Sequence, residues 1–194
     1  MDPILLINNY TQLLKNKKSK ELKVVLNQSL AANFDDITYD SKIAGELARV
    51  FLGYNAQQLY AILVLGKGEF NATTAKTMKY FIAPFVSFKV EAKNTLRLVD
   101  FSNPNEISFE AYQKRVEMYL KNCNQFIDEQ LDAGTMVQYF EVNIHNFKKN
   151  AKNKCVLGLY NETEKNNKNR IDLVTINDAY MDVTRPVPPF KPSF

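Results

Sequence analysis

Leu47-Ala-Arg-Val-Phe-Leu-Gly-Tyr-Asn-Ala-Gln-Gln-Leu-Tyr-Ala-Ile-Leu-Val-Leu-Gly66 is the stretch whose reading decides the fold. Leu47, Val50, Phe51 and Tyr54, with Ile43 one turn earlier, recur at the 3.6-residue spacing of a helix face. Asp40 or Ser41 can open such a helix, and Gly53 with Asn55 marks a break in it. Leu59, Ile62, Leu63 and Leu65 resume the pattern until Gly66 supplies a C-terminal stop. The spacing therefore predicts buried helix. The run Leu59 to Leu65 is far too short to cross a hydrocarbon layer about 30 Å thick, so no membrane span is expected.

The flanks extend the helical reading toward the N-terminus. Asp2 before Pro3 is a helix-start pair, because the carboxylate takes up free N–H groups and proline fits the first helical position. Leu6, Ile7, Tyr10, Leu13 and Leu14 then form one apolar stripe that ends at the basic turn Lys15 to Lys20. Ser19 can cap a second helix with Leu22, Val25, Leu26 and Ser29 or Leu30 inward. Beyond Gly66, Asn71 or Thr73 opens a shorter helix through Met78 and Phe81, which Pro84 ends.

From Phe85 the period changes to two. Val86, Phe88 and Val90 alternate with Ser87, Lys89 and Glu91, and Leu96 and Leu98 follow Lys93-Asn94, predicting a hairpin over 85–99. Ser108 caps the most periodic helix in the chain, with Phe109, Tyr112, Val116, Leu120, Cys123, Phe126 or Ile127, and Leu131 on one side. Ile107 and Tyr112 stand where a hydrophobic staple would join, and Gly134 closes the helix. Three strands around Phe140–Ile144, Cys155–Leu159 and Ile171–Ile176 then predict an antiparallel meander. The fold class is α+β, with five to six helices in the first two-thirds, the 85–99 hairpin, the meander and an extended arm.

A chain of 194 residues with 45% apolar content can bury one core, and no Gly/Ser/Pro-rich linker divides its middle. One α+β domain is expected over 1–183, helical to 134 and β from 135, followed by the arm 184–194. Thr184-Arg-Pro-Val-Pro-Pro-Phe-Lys-Pro-Ser-Phe194 carries prolines at 186, 188, 189 and 192 and reads as a polyproline-like arm that cannot continue a strand or helix. The opening Met1-Asp2-Pro3 shows no basic region ahead of an apolar run, so an intracellular, cytoplasmic protein is expected.

Chemistry-bearing motifs are sparse. The only cysteines, Cys123 and Cys155, read as two buried thiols and give neither a disulfide framework nor a zinc site. His145 is the only histidine and falls on the outward side of its strand pattern. Gly66-Lys67-Gly68 lacks the phosphate-cradle pattern, and Asp35, Asp36 and Asp40 lack calcium-loop spacing. No cofactor or metal is expected, and no catalytic residue stands out. An enzyme built on scattered carboxylates is the third reading.

Two features point to partners. The net charge of +4 arises from 20 Lys against 5 Arg, and Lys148, Lys149, Lys152 and Lys154 cluster beside Phe147, near Tyr139 and Tyr160. Charge beside a stacking surface suits single-stranded nucleic acid. The arm offers Arg185, Pro186, Val187, Pro188, Pro189, Phe190 and Phe194, apolar groups on a segment with no core of its own. A non-enzymatic assembly protein is the leading expectation: a homo-oligomer or larger particle, such as a viral or phage subunit within a virion, linked through this arm.

Overall fold

Asp2 and Pro3 do start the first helix. In α1 (Pro3–Lys15) the Asp2 carboxylate accepts the N–H groups of Ile4 and Leu5, and Leu6, Tyr10 and Leu14 are buried. Helix α2 (Ser19–Leu26) turns Leu22, Val25 and Leu26 inward. Its Ser19 occupies the first turn instead of the cap and donates its hydroxyl to Asp128. Helix α3 (Phe109–Ala133) is capped by Ser108, whose Oγ accepts the Ala111 N–H, and ends on Gly134 at φ 65°. Tyr119 takes the inward place expected of Leu120, which is 42% exposed. The computed structural model describes residues 1–27, 30–40, 47–66, 68–96, 99–100, 102–103, 105–161, 169–182 and 184–187.

Those three helices are all that the described residues contain, and the expected five to six are a misreading of β structure. The strands are β1 (Leu30–Phe34), β2 (Leu47–Asn55), β3 (Gln58–Leu65), β4 (Tyr80–Ser87), β5 (Glu106–Ile107), β6 (Tyr139–Asn143), β7 (Asn153–Asn161), β8 (Asn169–Ile176), β9 (Tyr180–Met181) and β10 (Thr184–Val187). They form one antiparallel sheet in the order β10-β6-β2-β3-β4-β1-β7-β8-β9-β5. Both the mainly helical first two-thirds and the C-terminal meander are therefore corrected. Strand β6 lies between β10 and β2, remote from β7, so of the strands after α3 only β7, β8 and β9 run as consecutive neighbours.

The decisive stretch is a hairpin, β2 against β3, paired from Ala48↔Leu65 to Asn55↔Gln58. Its two-residue turn is Ala56-Gln57, both at positive φ (47° and 66°), as a type I′ turn requires. The sheet is covered on both faces here. Leu59, Ala61, Leu63 and Leu65 join the main core, while Ile62 and Val64 lie on the opposite face with Leu6 of α1. A strand buried on both sides loses its polar alternation.

The segment expected as helix over 71–81 holds only a short 3₁₀ turn, Thr74–Lys76, before β4 begins at Tyr80. Pro84 falls inside β4, where the strand stops pairing with β3 and starts pairing with β1 at Phe85. A residue without an N–H is tolerated at that handover. The hairpin expected over 85–99 is absent among the described residues, because β4 ends at Ser87 and Phe88, Val90 and Leu96 pack against the second core cluster.

Strand β9 pairs with β8 and strand β10 with β6, yet Met181 and Thr184 are only three residues apart, at most about 11 Å of chain. The far ends of the strand order must therefore approach, and the sheet curls until β10 passes within 8 Å of β8. The segment Tyr180–Val187 joins the two ends.

Candidate functional site

The C-terminal segment is anchored within its own chain. Arg185, Pro186 and Val187 lie in β10, in register with Glu141, Phe140 and Tyr139 of β6. The expectation that 184–194 cannot continue a strand is thus corrected for Thr184–Val187, since proline is admitted in an outer strand whose N–H is not needed. Pro188, Pro189, Phe190 and Phe194 lie outside the described residues.

At the start of this segment, the Asp182 N–H donates to Asn105 O at 2.7 Å, and its carboxylate accepts from Arg115 Nη2 at 2.6 Å. Arg115, on α3, also pairs with Asp172 of β8 and stacks over the Tyr160 ring at 4.9 Å. Burial works against the charge on Arg115, but Asp182 and Asp172 outweigh it and hold its pKa above the ordinary value. Residues from α3, β8 and the β9–β10 link thus meet in one nearly buried ion cluster.

The basic loop is well formed, but its expected stacking surface is elsewhere. Asn153 clamps the loop, accepting the Lys148 N–H at 2.7 Å and donating to the carbonyls of Lys148 and Ala151 at 2.9 Å each. Lys148, Lys149 and Lys152 are exposed and Lys154 is partly buried. Lys148 meets Asp178 at 3.1 Å, and Lys149 stands 6.0 Å over the Tyr39 ring. Phe147 is 1% exposed, edge-on to Phe34 at 6.2 Å, and so presents no face to a base. Tyr139 packs on Phe51 at 4.8 Å, and the Tyr160 ring is taken by Arg115.

An aromatic cleft opens instead beside the N-terminal half of α3. Phe88, Leu96, Tyr112, Ile176 and Tyr180 line it, with Lys89, Glu91 and Lys154. Its enclosed volume is about 20 Å³, room for roughly one water. Small-molecule sites run to roughly 300–1,000 Å³. Tyr112 and Tyr180 stack at 4.7 Å, and Lys154 stands 6.0 Å over Phe88. Glu91 accepts the Thr95 hydroxyl at 2.8 Å. Burial and then the Glu91 charge push Tyr180 up to about 12, while burial, Tyr180 and Glu91 raise Tyr112 as well. The rings come from three separate parts of the chain, so no local pattern announced them.

His145 is exposed in the 3₁₀ turn Ile144–Asn146, its N–H held by the Asn143 side chain. Both thiols are free and buried, and burial raises the Cys123 pKa to about 11 and that of Cys155 further. Asp128 is engaged by Lys23 at 2.6 Å and Ser19 at 2.7 Å. Among the described residues, no three His, Cys, Asp or Glu side chains converge as a metal site, and no helix is long and apolar enough to cross a membrane. Comparison with protein-family models, with curated proteins and with solved structures gives no match for this chain.

Proposed function

We propose that this chain is a non-enzymatic assembly protein: the curled sheet is a rigid body, and the proline-rich residues beyond β10 link it to a second copy. The observation that carries this reading is the pairing of Thr184–Val187 with β6. It delivers Pro188, Pro189, Phe190 and Phe194 from a fixed edge of the sheet, so a partner gains apolar contact with less ordering entropy to offset than a wholly free tail would impose. A viral or phage particle is a setting that uses such straps, and the virion or the cytoplasm is the location this reading implies.

Sedimentation velocity on the full chain and on a chain ending at Val187, which keeps β10, tests the proposal. Association that rises with concentration in the full chain alone is the expected result. Identical monomeric behaviour of both across a broad concentration range overturns it.

A second reading, nucleic-acid binding, has one observation in its favour: the Asn153 clamp presents Lys148, Lys149 and Lys152 from a rigid loop. A gel shift that weakens steeply with salt and disappears when these lysines and Lys154 are neutralised would support it. Carboxylate-based catalysis draws less support, because among the described residues Asp172 and Asp182, which converge on Arg115, are both paired with it.

A further inference from the structure

Among the described residues, four buried side-chain nitrogen and oxygen atoms have no hydrogen-bond partner, and three of them belong to just two residues, Asn146 and Thr175. Both residues are 0% exposed. Asn146 is unpaired at Nδ2 and at Oδ1, and Thr175 at its hydroxyl. A buried amide or hydroxyl left unpaired is costly, and such groups in folded proteins find a partner in the protein or in ordered water. Asn153 supplies the contrast within the same loop. It is 2% exposed, and its amide is fully engaged with the Lys148 N–H and the carbonyls of Lys148 and Ala151.

The two residues belong to one core at one end of the sheet. Asn146 lies between Ile144 and Phe147, both in the main core, in the 3₁₀ turn that leads into the basic loop. Its carbonyl accepts Asn177 Nδ2 at 2.8 Å, which holds that turn against the end of β8. Thr175 is two residues before Asn177. It continues the alternation of Ile171 and Leu173, both in the main core, and is paired across the strands with Cys155 of the same core. Cys155 is a free thiol, only a weak hydrogen-bond donor. Valine has the same branched shape as threonine, so what Thr175 adds at this place is a hydroxyl.

We infer that the Asn146 amide and the Thr175 hydroxyl hold a buried water molecule between them. Their chemistry sets the class of occupant. The amide needs a donor for Oδ1 and an acceptor for Nδ2, and the hydroxyl can both give and take a hydrogen bond. Water donates and accepts at once, and in such a place typically makes about three hydrogen bonds. An ion would lack a counter-charge, since both side chains are neutral and, among the described residues, no three His, Cys, Asp or Glu side chains converge. A larger molecule would need an opening, and neither residue reaches the surface. The water completes the footing of the basic loop: Asn153 clamps the end of the loop near β7, and the hydrated Asn146 ties its beginning to β8. The site is independent of the assembly reading.

The test is NMR on the full chain labelled with nitrogen-15, with NOE and ROE spectra selected on the water resonance. Cross-peaks of opposite sign in the two spectra, the mark of a long-lived water, are expected at the side-chain NH₂ of Asn146. None is expected at that of Asn153, whose partners all lie in the protein. This measurement needs no variant, and the lack of a cross-peak at Asn146 overturns the inference. Oxygen-17 relaxation dispersion then counts long-lived waters through their oxygen, free of proton exchange with the Thr175 hydroxyl. Thr175→Val and Asn146→Leu, each close in shape to the residue it replaces and checked for folding by circular dichroism, are expected to lose the same water. Thr175→Ser, which keeps the hydroxyl, is expected to retain it. A count unchanged in both variants overturns the site. Loss in only one of them assigns the water to a single side chain and overturns the bridge.

Discussion

Helix α1 meets the sheet at Gly53 and helix α3 meets it at Gly158, and the two contacts differ in what surrounds the glycine. A Cβ on Gly53 would stand 2.8 Å from both Leu6 Cβ and Ile62 Cδ1, in wholly apolar surroundings. A Cβ on Gly158 would stand 3.0 Å from Cβ of Arg115, whose guanidinium holds Asp172, directly across the strand pair from Gly158, and Asp182. The first contact is packing alone. The second couples a helix to the link between β9 and β10, so one docking point fixes the core and the other fixes the C-terminal segment.

Breaking the ionic contact should have the largest effect. Arg115→Leu leaves Asp172, only 5% exposed, without its cation, and is expected to cost about 3–5 kcal/mol in denaturant unfolding. Arg115→Leu with Asp172→Leu should recover much of that loss, because two buried charges then leave together. A near-neutral single variant would show that the ion cluster does not anchor the segment. At the apolar contact, Gly53→Ala is expected to cost about 2 kcal/mol by overpacking. Adding Ile62→Val, which removes the clashing Cδ1, should relieve part of it. Gly158→Ala should cost less, about 1 kcal/mol, since its closest contact lies at 3.0 Å and yields to a shift of a few tenths of an ångström.

The smallest effect is expected where α2 meets α3. Hydrogen bonds from Lys23 and then Ser19 hold the Asp128 pKa below the ordinary carboxylate range. A depressed folded pKa means stability that is present above the unfolded value and lost as pH falls through the folded one. Asp128→Asn should therefore slightly lower the melting temperature at neutral pH and leave it unchanged once the pH lies below both values. An equal loss at every pH would assign the effect to something other than this charge.

Helices α1 and α3 were legible because they carry their own punctuation: Asp2-Pro3 opens α1, and Ser108 with Gly134 brackets α3, each with a one-sided apolar stripe. The β2–β3 hairpin was not. Leu47, Val50, Phe51 and Tyr54 fall by coincidence at helical spacing, both faces of β3 are covered, and the Ala56-Gln57 turn has neither the glycine nor the asparagine that marks positive φ. The sheet order is set by pairings between distant segments, which no local period encodes; β6 with β2 is the plainest case. The basic loop was legible as charge, but the burial of Phe147 under Phe34 depends on tertiary packing, as does the convergence of Phe88, Tyr112 and Tyr180.

Strands β9 and β10 close the sheet within their own subunit, and the fixed C-terminal edge depends on that closure. Isotope-filtered NMR on a sample mixing labelled and unlabelled chains measures this directly, through cross-strand contacts between the backbones of Arg185 and Glu141 and of Val187 and Tyr139. Contacts found only within one chain are the predicted result. The same contacts appearing between labelled and unlabelled chains would mean that β10 is exchanged between subunits, and would contradict it.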